Sequence, residues 1–223
     1  MRVALYYAPA ADDPLWARGA EWLGRDPLTD APRLQPALPD IAAVTAEPRL
    51  YGFHATLKPP MTLREDVTWD TVVRTTRAIA AAIPAFDLPT LAVADLDGFL
   101  ALRETVPSPA LQALADACTA GADALRAPPA PDELARRRRA GLSAAQEANL
   151  RAWGYPYVFA TWTFHLSLTR RLSAGEHARI RLVAESWFAD ALGLHRRVAN
   201  LCLFVQRGPG SPFVLAGRVG LAG

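Results

Sequence analysis

The chain has 223 residues, 51% of them hydrophobic, with a net charge of +2 and a pI near 8.7. That length allows a substantial core, arranged as one domain or two small lobes. The mild basicity suits a small anionic ligand and argues against an extended nucleic-acid footprint. Cys118 and Cys202 lack the spacing of a disulfide framework, a zinc site or a redox motif.

In chain order, Val3 to Tyr7 is a short apolar and aromatic run, expected as a strand. Asp13-Pro14 starts a helix that ends near Gly24. Residues 25 to 48 are proline-rich and weakly patterned, expected as a long ordered loop of the kind that often covers a site. Gly52 to Lys58 is the next strand, stopped by Pro59-Pro60. A helix follows over Trp69 to Ile83, then strands near Phe86 to Val93 and Gly98 to Glu104. Pro109 to Leu125 is an amphipathic helix with Leu111, Leu114, Cys118 and Leu125 on one stripe. Asp132 to Arg139 and Ser143 to Trp153 are two more helices, the second capped by Ser143 with Gln146. After a turn at Gly154 to Tyr157, Val158 to Thr169 is expected as a strand. Ala174 to Leu192 is a long helix, and Asn200 to Gln206 and Phe213 to Val219 are strands around Gly208-Pro209-Gly210.

Two segments nearly repeat each other: Phe53-His54-Ala55-Thr56-Leu57 and Phe164-His165-Leu166-Ser167-Leu168. Strand alternation places His54 with Thr56, and His165 with Ser167, on the face opposite their apolar neighbours. After each histidine the order is strand, connector, amphipathic helix, pair of strands, at an offset of 111 (165 − 54). This is the pattern of duplicated lobes, whose interface would hold both histidines in one cleft. Two imidazoles in one cleft can act as general base and general acid on a phosphoester, with the role of each left open. Thr56 and Ser167 can donate to nonbridging phosphate oxygens. The scheme needs no cofactor and no metal.

Strict alternation also puts Lys58 on the His54 face, as a phosphate contact or a solvated strand end. Tyr51 would point away unless Gly52 permits a bulge, and Arg49 could clamp an anion. Thr161, Thr163 and Tyr157 share the parity of His165. Tyr6 and Tyr155 could stack on a base or sugar, or sit in the core or at the rim. Arg136 to Arg139 are expected to spread around a solvated helix; the sharper alternative is that one or two reach the cleft and bind a second phosphate. His177 and His195 are expected to be exposed.

His54-Ala55-Thr56-Leu57 and His165-Leu166-Ser167-Leu168 resemble the paired tetrads of the two-histidine phosphoesterase superfamily. Trp22-Leu23-Gly24-Arg25-Asp26, the run from Pro48 to Pro60, and Trp153-Gly154-Tyr155-Pro156-Tyr157-Val158 resemble a bacterial branch of it associated with phosphonate-metabolism operons. The resemblance covers nearly the whole chain. It implies an α+β, bilobal fold over residues 1–223, in which two pseudo-twofold-related antiparallel sheets form a central cleft with helices outside. It further implies acid and base roles for His54 and His165, and phosphate-binding roles for Thr56 and Ser167. The expected activity is hydrolysis of a small phosphodiester or cyclic phosphate. Processing of RNA 2′,3′-cyclic phosphate ends and non-catalytic binding of a nucleotide or sugar phosphate are the alternatives. The expected partner is a small phosphorylated substrate, with no membrane association, in the cytoplasm.

Overall fold

The computed structural model describes residues 1–139 and 141–223. The chain runs β1 (Arg2–Tyr7), α1 (Pro14–Leu23), α2 (Ile41–Val44), α3 (Ala46–Tyr51), β2 (Ala55–Thr62), α4 (Trp69–Ala81), β3 (Phe86–Leu88), β4 (Leu91–Leu96), β5 (Phe99–Glu104), α5 (Pro109–Gly121), α6 (Pro131–Arg138), α7 (Ala144–Trp153), β6 (Leu166–Ser167), α8 (Ala174–Leu192), β7 (Arg196–Val198), β8 (Asn200–Gln206) and β9 (Val214–Gly220). Among the described residues no helix is long and apolar enough to cross a membrane.

Local chemistry sets the helix ends. Asp13 accepts from the Leu15 amide with Pro14 at the first helical position, and Gly24 closes α1 at φ 77°. Ser143 with Gln146, as expected, and Ser173 with Glu176 form capping boxes for α7 and α8. Each such cap is worth about 1 kcal/mol.

Strands β4-β5-β6-β2-β1-β8-β9 form one antiparallel sheet, and β3 pairs with β7 in a second. The α+β class holds, and the repeated order is visible: β2-α4-β3-β4-β5 is followed by β6-α8-β7-β8-β9. The two sheets expected of the two lobes are hydrogen-bonded edge to edge through one residue pair, Ala55 with Leu166. Val3, Leu5 and Tyr7 of β1 pack into the main core with α1, α4, α5 and α8, while Ala4, Tyr6 and Ala8 face the other side with Phe204 and Phe213.

Four expectations change. The strand near Phe86 to Val93 is two, β3 and β4, which lie in different sheets. The loop is shorter, because α2 and α3 occupy its second half, and Pro48 falls in the first turn of α3 where a missing amide costs nothing. β2 does not stop at Pro59-Pro60. Val3 pairs with Met61 and Leu5 with Lys58, so both prolines oppose Ala4 alone in a bulge that demands no ladder amide from them. The second histidine segment is a strand only over Leu166–Ser167. Upstream, the Thr161 hydroxyl shares its one proton between the carbonyls of Pro156 and Val158 and accepts from the Val158 amide, holding a 3-10 turn in place of a ladder.

Candidate active site

Both histidines sit one residue ahead of a strand and are held the same way. His54 Nδ1 lies 2.8 Å from the Gly52 carbonyl, and His165 Nδ1 lies 2.9 Å from the Thr163 carbonyl. A carbonyl only accepts, so each Nδ1 carries the proton and each neutral ring keeps its Nε2 lone pair. The Thr56 hydroxyl donates to His54 Nε2 at 3.1 Å. Gly52 ends α3 at φ 79°, a backbone geometry suited to glycine; a methyl group there would lie 2.7 Å from Pro27.

The register brings the two tetrads together. With Ala55 opposite Leu166 in antiparallel pairing, His54 falls across from Ser167 and Thr56 across from His165. His54 and Ser167 accordingly line one half of a cleft, about 680 Å³, with Glu47, Tyr51, Arg137 and Arg170. Thr56 and His165 line the other half, about 300 Å³, with Thr163, Tyr155 and Trp162. Phe99, Tyr157 and Arg171 border both halves. These volumes are those of a small-molecule site.

Burial, reinforced by the charge of the other histidine, pushes the His54 pKa down to about 3 against the bond to Gly52. The ring is walled by protein but keeps an edge on the cleft. Burial also lowers the His165 pKa; the Thr163 carbonyl opposes this and Arg103 adds to it. Both imidazoles therefore favour the neutral form at pH 7.

Tyr51 faces the cleft from the end of α3, its ring centroid 6.4 Å from His54. Thr163 contributes the carbonyl that orients His165 and lines the cleft beside it. Lys58 is a correction: it is buried against α5, donating to Asp123 at 2.8 Å and to the Thr119 carbonyl at 3.1 Å. The cause is a second bulge. Tyr6 pairs with Thr56 but Leu5 pairs with Lys58, so Leu57 is an extra residue that flips Lys58 to the core face. Arg49 also leaves the cleft, donating to the Leu23 carbonyl at 2.7 Å and to Gln35 at 2.9 Å, which pins the 25–40 loop. Thr161 spends its hydroxyl on the turn described above. Tyr6 is buried and stacks on His54 itself. His177 is half-buried against Asp95, while His195 is exposed.

Sequence reasoning missed Phe99, Glu47, Arg170 and Arg171. It favoured a solvated face for the whole arginine run, whereas Arg137 lies over the Tyr155 ring at 4.5 Å and lines the cleft. Arg171 follows the second tetrad by three residues, and that closeness was the one available signal.

The whole chain is 39% identical over 231 residues to the ribose 1,5-bisphosphate phosphokinase PhnN of Janthinobacterium sp. (strain Marseille), covering 51% of that protein. It is 38% identical over 229 residues to the protein of the same name from Laribacter hongkongensis (strain HLHK9), with 99% of this chain and 52% of that one covered. The chain thus spans about half the length of the curated relatives it matches. Among solved structures, E. coli LigT complexed with 3′-AMP aligns over 100% of this chain and 98% of its own, at 14% identity and a TM-score of 0.49. A structure described as a phosphoesterase aligns over 100% and 99%, at 14% identity and a TM-score of 0.46. The family described as "Protein of unknown function (DUF1045)" matches residues 56–214, and the chain belongs to that family.

Proposed function

We propose that this chain is a phosphoesterase that hydrolyses a small cyclic phosphate or phosphodiester by paired-histidine acid–base catalysis. The observation that carries the reading is the matched pair of imidazoles, each with Nδ1–H fixed on the carbonyl two residues back, opposite each other's hydroxyl in one cleft. A neutral Nε2 takes a proton from water as the water oxygen attacks phosphorus. The second imidazole, protonated, gives its proton to the leaving oxygen as the P–O bond breaks, and a phosphomonoester and an alcohol result. Thr56 and Ser167 donate to nonbridging oxygens. His54, which burial keeps neutral at pH 7, is in the form a base needs. An incoming phosphate anion raises the pKa of the nearer imidazole, which suits His165 for the acid once substrate is bound.

The name borne by the relatives points to phosphoryl transfer from a nucleotide, which this half of their length is poorly equipped to perform. It has no Gly-x4-Gly-Lys-Ser/Thr loop, and its single lysine, Lys58, is committed to Asp123 in the core.

The test is turnover of 2′,3′-cyclic nucleotides, ribose cyclic phosphates and simple phosphodiesters in EDTA, for the wild type, His54→Gln and His165→Gln. The expected result is metal-independent turnover that falls at least about 100-fold in both variants. Equal binding by all three proteins with no turnover would establish a binding module instead.

A further inference from the structure

We propose that the cleft holds a second anion subsite centred on Arg137, so that its substrate carries a phosphomonoester in addition to the phosphate being opened; this rests on the phosphoesterase reading. Helix α6, which delivers Arg137, buries none of its own residues. Core packing therefore gives no reason for it to stand at the cleft. The arginines of its last turn have separate fates. Arg138 is bidentate with Glu147, at 2.9 and 3.1 Å. Arg136 lies 3.8 Å from Glu133 in solvent. Arg137 alone enters the cleft lining.

There its guanidinium is spread on Tyr155, its Nε is buried with no partner among the described residues, and one Nη makes a single long bond, 3.4 Å, to Glu133. A guanidinium has five donors, so this one, half-buried, is held in place with most of its donors unspent. A phosphate monoester would satisfy them in bidentate fashion.

The charges around the cleft separate two anion positions. Arg170 is spent on Glu176, at 2.9 and 3.3 Å. Arg171 has no carboxylate within 4 Å among the described residues and donates only to the Asp97 carbonyl. It borders both histidine halves, where the phosphate under attack must sit. Arg137 lies on the α6 side of the same space, left for a second anion. Glu47 and Asp97 are the carboxylates in the lining, and being anionic they leave Arg137 and Arg171 as the positions that attract phosphate. Tyr51, Tyr157 and Phe99 wall the space between, as a sugar or nucleoside linking two phosphates would need.

The experiment compares binding of uridine 3′,5′-bisphosphate and uridine 3′-monophosphate at 0.15 M salt. Both are already-opened esters that cannot turn over. The bisphosphate is expected to bind the wild type at least about tenfold more tightly, or about 1.4 kcal/mol. That ratio should fall below about threefold in Arg137→Gln and persist in Arg136→Gln, with unchanged melting temperatures in both. A wild-type ratio within twofold, an equal loss in Arg136→Gln, or failure of both probes to bind at millimolar concentration would overturn the subsite. Because neither probe is cleaved, a retained ratio in a protein that hydrolyses no cyclic phosphate would sink the proposed reaction and leave the subsite standing.

Discussion

The imidazole of His54 lies flat on the ring of Tyr6, with centroids 3.6 Å apart and 20° between the planes. Tyr6 is itself buried in β1, so one face of the imidazole is sealed from water. The sealed face makes protonation costly, and this governs the pH behaviour.

On the proposed acid–base reaction, kcat/KM requires one imidazole neutral and the other protonated. With the His54 pKa near 3, the proposed base is neutral throughout pH 5 to 8. The proposed acid is scarce in its protonated form, because burial holds the His165 pKa below its ordinary 6.5. The expected profile therefore has one limb in this range, with kcat/KM falling about tenfold per pH unit above the His165 pKa. A bell centred near 6.5 would show that neither ring is shielded as described. Stability has the opposite slope. The unfolded chain takes up a proton on residue 54 below about pH 6.5 and the folded chain does not until about 3, so the His54 contribution is fully present above 6.5 and is lost as pH falls through that window. Urea midpoints for wild type and His54→Gln should converge as pH falls from 7 to 4.

Lys58 gives a second prediction. Its ammonium is buried, held by Asp123 and the Thr119 carbonyl, and Asp123 is shared with Arg126 at 3.0 Å. Asp123→Ala strands a buried charge and is expected to cost about 3–5 kcal/mol. Lys58→Met leaves Asp123 its arginine and part of its solvent exposure, and should cost under about 2 kcal/mol. Its turnover should stay within threefold of wild type. A hundredfold loss of turnover in a stably folded Lys58→Met would place the lysine on the substrate after all.

The tetrads were legible in the sequence because strand parity is a short-range property. From Phe53 to Leu57 and from Phe164 to Leu168 the side chains alternate buried and half-buried. Lys58 escaped the same logic because one extra residue, Leu57, lies between it and Thr56, and a bulge is set by the partner strand. Arg49 and Arg137 escaped it for another reason. Helical phase says only which way a side chain leaves its own axis. The contacts of Arg49 with Leu23 and Gln35, and of Arg137 with Tyr155, depend on how distant segments pack. The seven-stranded sheet was half legible: the repeated order of elements was visible, but the single Ala55–Leu166 link that joins its wings was not.

Gly19 tests how closely the core controls the site. On α1, a methyl group at this position would lie 2.2 Å from the Phe53 ring. That ring is buried and stacks on Phe188 at 6.1 Å, so it cannot yield without moving the backbone that carries His54. Gly19→Ala should destabilise by about 1–3 kcal/mol through overpacking, outweighing its better helix propensity. It should lower kcat more than it raises KM. Phe53→Leu in the same chain, by making room, should restore part of both, and an unperturbed Gly19→Ala would refute the tight contact.

The two hydroxyls offer the sharpest test of the crossed arrangement. Thr56 donates to His54 Nε2, so a phosphate that engages His54 must displace that bond, freeing the hydroxyl for a nonbridging oxygen. Ser167 stands across from His54 by register and has no comparable bond to give up among the described residues. Thr56→Ala and Ser167→Ala should each lower kcat/KM about 100-fold, the usual cost of losing one donor to developing charge. Both side chains are half-exposed at the cleft, so melting temperatures should barely move. Thr56→Ser and Ser167→Thr should stay within fivefold of wild type, because the hydroxyl is the working group and the chain already uses one residue of each kind. Should either alanine variant keep full kcat/KM, its hydroxyl does not touch the phosphate, and the charge on the nonbridging oxygens would have to be met by Arg171.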